Sequence, residues 1–412
     1  MTTKNRTILV PEYMQEFACI GSACEDSCCV GWRVDIDQAT YKKYAKSRDI
    51  ELKPLFNKNI SRHRSGPTST RYAKIKMDDQ GKCGFLSEEN LCKIQLSLGE
   101  DSLSTVCSTY PRSFNSIDGV VEKSTTLSCP EAARITLIRP EGIQFNEIEE
   151  NEENKVWINK QIITDNPNAK NKLTQYFWNL RIFTIQVLQN RLYTISERLI
   201  ILGLFYQKTQ SQINEENYEA VLDTINSYSR MLDDPDTKNS LTDIPVNYIV
   251  QMKLCKELMD YRFGHGLKNS RYMECVAETL NGIMYTEDST EEEIAARYKA
   301  ASIDYYTPFM EEHEYILENY LVNYVFKNLF PFGRSRVYDD YVMMVVHFSM
   351  IKLHLIGMSG FHKGLTTDLV VKLVQSFAKI VEHNTTFLNN VHSLLEDNDF
   401  TSMAYMSIMI KN

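Results

Sequence analysis

The sequence predicts a mostly α-helical protein in which a small cysteine-rich α+β metal-binding domain is packed on a large all-helical domain. Eight of the ten cysteines precede residue 130. From Leu173 onward, apolar residues recur at spacings of three and four, which is the period of an amphipathic helix. The chain of 412 residues is also longer than one typical core, which favours two domains.

The acidic run EIEENEE at residues 147–153 is the predicted connection between the domains, because such runs are usually solvated. It gives a cysteine-rich domain at residues 1–145 and an all-helical domain at residues 156–412. In the first domain, turn residues at 78–81 and 118–119 predict two hairpins.

Two short helices are also expected in the cysteine-rich domain. The first runs from Leu91 to Leu98 and ends at Gly99. The second begins near Pro130, with Ser128 as its N-cap. Hairpins and helices of this size have small cores, so a bound metal would stabilise them.

The second domain should contain one long helix that begins at Asn171 and carries its apolar residues from Leu173 to Ile195, followed by shorter helices packed ridges into grooves. The longest uncharged apolar run, Tyr341 to Ile351, is well short of the ~20 residues of a membrane span and predicts a buried core helix. The shorter helices are expected at about residues 215–232, 246–262, 268–285, 290–302, 309–329, 336–357, 366–382 and 403–411.

Charge and the start of the chain restrict location and partners. Residues 1–140 carry a net charge of +3 and residues 141–412 a net charge of −12. The acidic larger part would be repelled by phosphate backbones, which argues against nucleic acid, whereas a lysine-bearing protein is tolerated. The first residues lack an apolar segment of signal-peptide length, so we expect a cytoplasmic protein without a transmembrane segment.

The early cysteines predict a metal centre, because thiols in a reducing cytosol do not persist as disulfides. Zinc and iron-sulfur clusters both accept ligation by sulfur alone. Zinc ribbons usually contain C-x2-C pairs, which are missing here, and a [4Fe-4S] cluster needs only four thiolates at loose spacing. Spacing therefore favours iron-sulfur and leaves zinc as the alternative. The eight candidate ligands are Cys19, Cys24, Cys28, Cys29, Cys83, Cys92, Cys107 and Cys129.

The region from Pro11 to about Gly142 closely resembles the bacterial flagellin lysine-N-methylase family. The resemblance rests on VPEYMQEFACIGSACEDSCCVGW, YAKIKMDDQGKCGFL, LCKIQ, CSTYPRSFN and LSCPEAAR, with ENYLVNYVFKNLFPFG later in the chain. It implies methyl transfer from S-adenosylmethionine to surface lysines of flagellin, with a [4Fe-4S] cluster held by the cysteine motif. It does not identify the four cysteines that bind iron.

The chemistry of lysine methylation requires a neutral amine, and hence a group that accepts its proton. Tyr110 is the candidate, because it follows Cys107 by three residues and is close to Arg112 in sequence. No strand-turn-helix motif with clustered glycines marks a cofactor site, and the G-x-G at residues 264–266 fits a connection between helices. Candidates for the cofactor site are Phe332, Gly333 and Arg334, at a break between two predicted helices.

Two other functions remain open from the sequence. A non-catalytic, metal-stapled helical scaffold would bind a protein partner without turnover, and a redox or metal-handling protein would have several thiols of depressed pKa. His347 and His354 are expected to be core residues. Cys255 and Cys275 are expected to pack.

Overall fold

The computed structural model describes residues 4–166, 172–242, 244–263, 269–286 and 288–411. The fold is mostly helical, as predicted, and its few strands form two small sheets within these residues. The strands are β1 (Asn5–Pro11), β2 (Asp35–Ile36), β3 (Ile60–Arg62), β4 (Ala73–Ile75), β5 (Arg112–Ile117), β6 (Val120–Thr125), β7 (Phe145–Asn151) and β8 (Ile158–Ile162).

Most helices lie in the second half of the chain. Two π-helical turns, Ser302–Tyr306 and Ala378–Glu382, continue helices of the core. The α-helices are α1 (Tyr13–Glu16), α2 (Gln38–Ala45), α3 (Leu52–Asn59), α4 (Lys93–Leu98), α5 (Thr105–Thr109), α6 (Pro130–Leu137), α7 (Phe177–Leu188), α8 (Ile195–Asn214), α9 (Ala220–Leu232), α10 (Pro235–Thr242), α11 (Tyr248–Phe263), α12 (Ser270–Gly282), α13 (Glu291–Ala301), α14 (Thr307–His313), α15 (Tyr315–Asn328), α16 (Val337–His362), α17 (Thr367–Phe377), α18 (Thr385–Asp397) and α19 (Met403–Ile410).

The larger sheet has the strand order β7-β1-β6-β5-β8 and the smaller one the order β2-β4-β3. The hairpin predicted at residues 118–119 is confirmed: it joins β5 to β6, and Asp118 and Gly119 have φ of 52° and 86°, as a tight hairpin turn requires. The turn at 78–81 also forms. Beyond it the chain makes isolated bridges from Met77 to Cys83 and from Lys82 to Val30, while β4 pairs with β2 and β3.

The acidic run at 147–153 was wrongly interpreted as a connection, because most of it belongs to β7, which pairs with β1 along its whole length. Basic side chains of the neighbouring strands offset its charge. Glu150 forms ion pairs with Arg6 at 3.1 Å and with Lys123 at 2.6 Å. β8 lies in the part expected to be all-helical and pairs with β5. The division into domains at 1–145 and 156–412 stays a prediction.

The helix expected from Leu173 to Ile195 is wrong as a single element. A 3-10 turn, Lys172–Tyr176, leads into α7, and α8 begins anew at Ile195. Thr194 and Glu197 form a capping box that starts α8, which explains the break. The 309–329 segment is likewise divided between α14 and α15.

The short helices of the cysteine-rich region largely agree with the prediction. α4 ends at Gly99, whose φ of 79° suits glycine at a helix C-terminus. α6 begins at Pro130, but its N-cap is Cys129 and not the predicted Ser128. The Ser128 hydroxyl instead contacts Tyr110 and His383. The helices α1, α2, α3, α5, α8, α10 and α18 were not predicted. Residues 171, 264–266 and 268 of the predicted elements lie outside the described residues.

The centre of the protein is α16, which is buried from Val337 to Gly360. It is the only described helix long and apolar enough to cross a bilayer, and its apolar window is entirely enclosed by the protein. α12 packs against it so closely that a Cβ on Gly282 would collide with the Gly357 carbonyl. The same core contains Ile8 of β1 and Ala133 of α6, so the larger sheet is continuous with the helices.

A second, smaller core lies between Val34 and Leu103 and packs against several of the early cysteines. Its larger side chains include Tyr44 and Phe56, whose rings stack at 4.4 Å. The cluster contains eleven buried residues, far fewer than the main core, so this region has less hydrophobic stabilisation of its own than the helical part. The thiols therefore lie between a small core and a large one.

His354 of α16 provides a test of the core. Its side chain is fully buried, with Nδ1 2.7 Å from the Met350 carbonyl and Nε2 3.2 Å from the Tyr272 hydroxyl. Burial lowers the pKa of this imidazole to about 4, whereas the ordinary value is 6.5. The unfolded chain therefore takes up the proton first as pH falls, and protonation favours unfolding.

We expect His354 to lower the free energy of unfolding by about 2 kcal/mol between about pH 7.5 and about pH 5. Urea denaturation of the wild type and of His354→Gln at both pH values measures this contribution, because carboxylates titrate in both proteins. The variant should lose about 2 kcal/mol less than the wild type over this range. An equal pH dependence in the two proteins would contradict the assignment.

Candidate metal centre

The first part of the centre is formed where the segment after Cys28 and Cys29 meets the segment before Cys83. The Cys83 amide donates to the Cys29 carbonyl at 2.8 Å, and the Gly31 amide donates to the Gly81 carbonyl at 2.9 Å. Gly81 has a φ of 74°, which closes the turn that presents Cys83. This short pairing brings together thiols that are more than fifty residues apart in sequence.

Five thiols gather here, and we call them the inner group: Cys28, Cys29, Cys83, Cys92 and Cys107. The Cys29 thiol is central, because Cys28, Cys83 and Cys92 each contact it closely enough to raise its pKa through hydrogen bonds. The same contacts lower the pKa of Cys28 to about 7 and that of Cys92 to about 6. Thiols of this kind ionise near neutral pH, and the thiolate is the metal-binding form.

Cys107 occupies the edge of the inner group. Burial raises the pKa of its thiol to about 12, and the nearby Cys92, Cys83 and Cys28 raise it further. Ser104 positions the residue by accepting a hydrogen bond from its amide at the start of α5. A thiol this well buried would release its proton only to a strong competitor for sulfur, such as a metal.

The other three thiols form an outer group: Cys19, Cys24 and Cys129. Burial raises the pKa of Cys24, and that of Cys129 to about 12. The negative charges of Cys19 and Cys28 also raise the pKa of Cys24, and those of Cys24 and Cys19 raise the pKa of Cys129. Cys19 is exposed. The structure therefore places all eight predicted ligands in two adjoining groups. The groups adjoin at Cys24 of the outer group, which is close enough to Cys28 of the inner group for their charges to interact.

Tyr110, the candidate catalytic residue, lies between the two groups. Burial raises its pKa well above the usual value, and the neighbouring Cys129 and Cys28 thiolates add to this effect. Its ring packs on Trp32 with centroids 4.8 Å apart, and its hydroxyl lies 3.1 Å from the Ser128 hydroxyl. It does not pair with Arg112, whose guanidinium lies over the Phe17 ring.

A polar network ties the thiol region to the helical core. Lys379 in the π-helical turn donates to both carboxylate oxygens of Asp26, at 2.8 and 2.9 Å. Gln375 of α17 donates to Asp26 and to the Ser128 carbonyl, both at 2.8 Å. His383 lies 3.0 Å from the Ser128 hydroxyl. These contacts fix the loop that carries Cys24, Cys28 and Cys29 against the end of α17.

Phe332, Gly333 and Arg334 lie in the link between α15 and α16. The Gly333 and Arg334 amides donate to Asp340 at 2.6 and 3.0 Å, and the Phe332 ring packs against Phe177. Their described contacts hold the start of α16, and none of them reaches a cysteine. Their assignment to the cofactor site stays a prediction.

A cavity of about 380 Å³ lies beside the inner group, and no pattern in the sequence predicted it. One wall is formed by Val30, Gly31 and Trp32, which directly follow Cys29, and a second by the turn 78–81, which precedes Cys83. Lys379 closes it from the helical side. The signal for Trp32 was present in SCCVGW, but nothing in the sequence connects Lys379 with the cysteines.

A second possible ligand cluster lies far along the chain. Asp339, His392 and Glu396 are the only three candidate ligands in the described residues whose atoms lie within 4.8 Å of one another. Arg336 is 3.7 Å from both carboxylates, so the cluster already contains a cation. His347 and His354 are buried and hydrogen-bonded within α16, as predicted for core histidines.

Residues 181–409 match the model of the FliB lysine N-methylase C-terminal domain. The chain belongs to the FliB lysine N-methylase family. The matched residues run from α7 to α19 and include Gln375 and Lys379, which hold the thiol region. The resemblance inferred from the sequence is thus confirmed, and lysine methylation is supported at the level of the family.

Relatives of this family extend the likeness beyond the C-terminal domain. The lysine-N-methylases of Salmonella choleraesuis and Salmonella typhimurium are each 24% identical over 411 residues, covering 95% of this chain and 96% of the relative. The flagellar biosynthetic protein FliU of Salmonella muenchen is 34% identical over 145 residues, 35% of this chain and 85% of FliU. No solved structure matches the chain.

The ion pair between Asp26 and Lys379 should contribute measurably to stability, because its side chains are only 15% and 12% exposed. We expect Asp26→Ala to lower the free energy of unfolding by about 2 kcal/mol, since the substitution leaves Lys379 without its carboxylate. Urea denaturation of metal-free protein measures the change.

Asp260→Ala is the matched control, because Asp260 is 54% exposed and pairs with Lys256 within one helix. It should change the free energy of unfolding by less than about 0.5 kcal/mol. Equal effects of the two substitutions would show that the Asp26 contacts do not hold the thiol region to the helices.

Proposed function

We propose that this protein is an S-adenosylmethionine-dependent protein-lysine N-methyltransferase that acts on flagellin and holds a [4Fe-4S] cluster with its early cysteines. The observation that carries the proposal is the gathering of eight thiols in two adjoining groups, with Tyr110 near Cys28 and Cys129, in a member of a lysine N-methylase family. We place the reaction in the cytoplasm, where a reducing environment keeps such thiols available to metal.

The thiol arrangement fits an iron-sulfur cluster better than zinc. In a tetrahedral zinc site with Zn–S bonds of ~2.3 Å, the four sulfurs lie about 3.8 Å apart. All eight candidate thiols are in described residues, and no three of their sulfurs lie within 4.8 Å of one another. Cys28, Cys83 and Cys92 each contact Cys29, but no three of these sulfurs are mutually as close as a zinc ion requires, so we favour the larger cluster. Iron-sulfur clusters are also usually bound by cysteine thiolates alone.

The inner group is the proposed holder of the cluster, because it offers at least the four thiolates that a [4Fe-4S] centre requires. A bound cluster would add folding free energy to the small core and, if one iron kept an open position, would supply one-electron chemistry. The outer group lies beside it through Cys24 and Cys28. One thiol of each group, Cys28 and Cys129, is close enough to Tyr110 to raise its pKa.

Methyl transfer to lysine breaks the bond between the sulfonium sulfur and its methyl carbon and forms a bond from that carbon to the lysine nitrogen. The electron pair of the broken bond stays on sulfur, which becomes a neutral thioether, and one proton leaves the nitrogen. The Tyr110 hydroxyl, Ser128 and His383 form a hydrogen-bonded chain with links of 3.1 and 3.0 Å. Burial keeps Tyr110 protonated, and His383 at the other end of the chain is exposed to solvent, so the chain can relay the lysine proton from Tyr110 through Ser128 to water.

Flagellin is the proposed substrate because the relative FliU is named as a flagellar biosynthetic protein. The net charge of −12 over residues 141–412 supports a lysine-bearing partner, since opposite charge accelerates encounter. Positive substrate side chains would approach a surface of opposite sign.

The first test combines anaerobically purified protein, S-adenosylmethionine and flagellin. We expect intact-mass measurement to show flagellin gaining methyl-sized increments, and peptide mapping to place them on lysine side chains. Flagellin incubated with the protein and S-adenosylhomocysteine, which has no methyl group to transfer, is the control. If flagellin binds but gains no mass while the cluster is intact, the protein is a non-catalytic scaffold.

The second test assigns the metal to the inner group. The double variant Cys83→Ala/Cys92→Ala should lose most of the iron and acid-labile sulfide that anaerobically purified wild type contains, because it leaves only three inner thiolates, one fewer than the cluster requires. Cys129→Ala should retain them, and Cys275→Ala is the matched control, since Cys275 is fully buried in the helical core. Full iron in the inner-group double variant, or zinc in place of iron in the wild type, would contradict the proposal.

A further inference from the structure

We propose that the cavity between Trp32, the turn 78–81 and Lys379 is the binding site for the sulfonium cofactor. The inference rests on the proposed function and locates the methyl donor in the chain. The cavity of about 380 Å³ falls within the ~300–1,000 Å³ typical of small-molecule sites. Its position, shape and charge each support the assignment.

The cavity lies directly beside the two segments that carry the inner thiols. The wall that contains Gly31 and Trp32 continues directly from Cys28 and Cys29, and Trp32 donates a hydrogen bond to the Cys28 carbonyl. The opposite wall ends at Gly81, two residues before Cys83. A ligand in the cavity would therefore touch the two segments that carry the inner group.

One wall of the cavity is aromatic. Trp32 lines the cavity, and its ring also packs on Tyr110 at a centroid distance of 4.8 Å. An indole face stacks on a purine and attracts a cationic sulfur, and the cofactor contains both groups. The contact with Tyr110 connects the bound donor to the residue proposed to handle the lysine proton.

The charged side chains around the cavity leave a net negative group free to meet a cationic ligand. The cations on the walls already have partners, because Arg33 pairs with Asp35 at 3.0 Å and Lys379 with Asp26 at 2.8 Å. Asp78 and Asp79 are exposed and have no ion-pair partner in the part of the chain that the structure describes. Asp78 accepts two amide hydrogen bonds within its turn, which leaves Asp79 to face a ligand.

The backbone allows close approach at the same place. A Cβ on Gly81 would lie 3.6 Å from the Gly31 amide nitrogen, so two glycines meet where the walls converge. A substrate lysine is also cationic, but its single unbranched chain would leave most of the volume empty and would not need a stacking surface. The cavity therefore fits a nucleoside with a positive side arm better than a lysine side chain.

Binding to the full-length, cluster-loaded protein tests the proposal without turnover. Isothermal titration with S-adenosylmethionine and with S-adenosylhomocysteine separates stacking from charge, because only the first contains a sulfonium. We expect Trp32→Ala to weaken both ligands about tenfold and Trp32→Phe to keep most of the affinity. Asp79→Asn should weaken S-adenosylmethionine roughly two- to fivefold and leave S-adenosylhomocysteine nearly unchanged.

Glu292→Gln is the matched control, because Glu292 is an exposed carboxylate on the wall of a separate cavity beside Tyr248 and Lys299. It should bind both ligands as the wild type does, and iron content is measured for every variant to confirm an intact centre.

Wild-type affinity in Trp32→Ala and Asp79→Asn, alongside methyl transfer by the wild type, would overturn this location and leave the proposed function standing. Weakened binding of a lysine peptide in place of the nucleosides would also overturn it. Failure of the wild type to bind either nucleoside would overturn the proposed donor, and this site with it.

Discussion

The short pairing between residues 29–31 and 81–83 is the interaction on which the candidate centre depends. Two backbone hydrogen bonds, from Cys83 to Cys29 and from Gly31 to Gly81, align the two segments that bring the inner thiols together. The small core between Val34 and Leu103 supports this pairing but contains few large buried side chains. A bound metal would therefore add stability where the polypeptide supplies least, and the same two segments form walls of the adjoining cavity.

The helical core contributes position rather than ligands. α16 is buried along nearly its whole length and packs against α12, which makes the surrounding helices a rigid support. From that support, Gln375 and Lys379 reach Asp26, and His383 reaches Ser128. These contacts couple the loop carrying Cys24, Cys28 and Cys29 to the helices that match the family model. Specific hydrogen bonds and an ion pair thus connect the part of the chain that matches the family model to the thiol region.

The sequence predicted features that arise from local chemistry. The Asp118-Gly119 turn, the end of α4 at Gly99 and the burial of α16 all follow from residues close to each other in the chain. β7 was missed because its negative charge is offset by Arg6 and Lys123, which no local pattern connects to it. The break before α8 could have been predicted from the capping box of Thr194 and Glu197. The separation of the cysteines into two groups depends on tertiary contacts and left no sequence signal.

The central claim is that sulfur atoms from distant points of the chain share bound iron. X-ray absorption at the iron edge of anaerobically purified, full-length protein examines the metal's neighbours directly. The account predicts a first shell of sulfur alone and a second shell of iron atoms at the short separation of a cluster. A first shell of nitrogen and oxygen, or a single metal atom without a neighbouring iron, would contradict it.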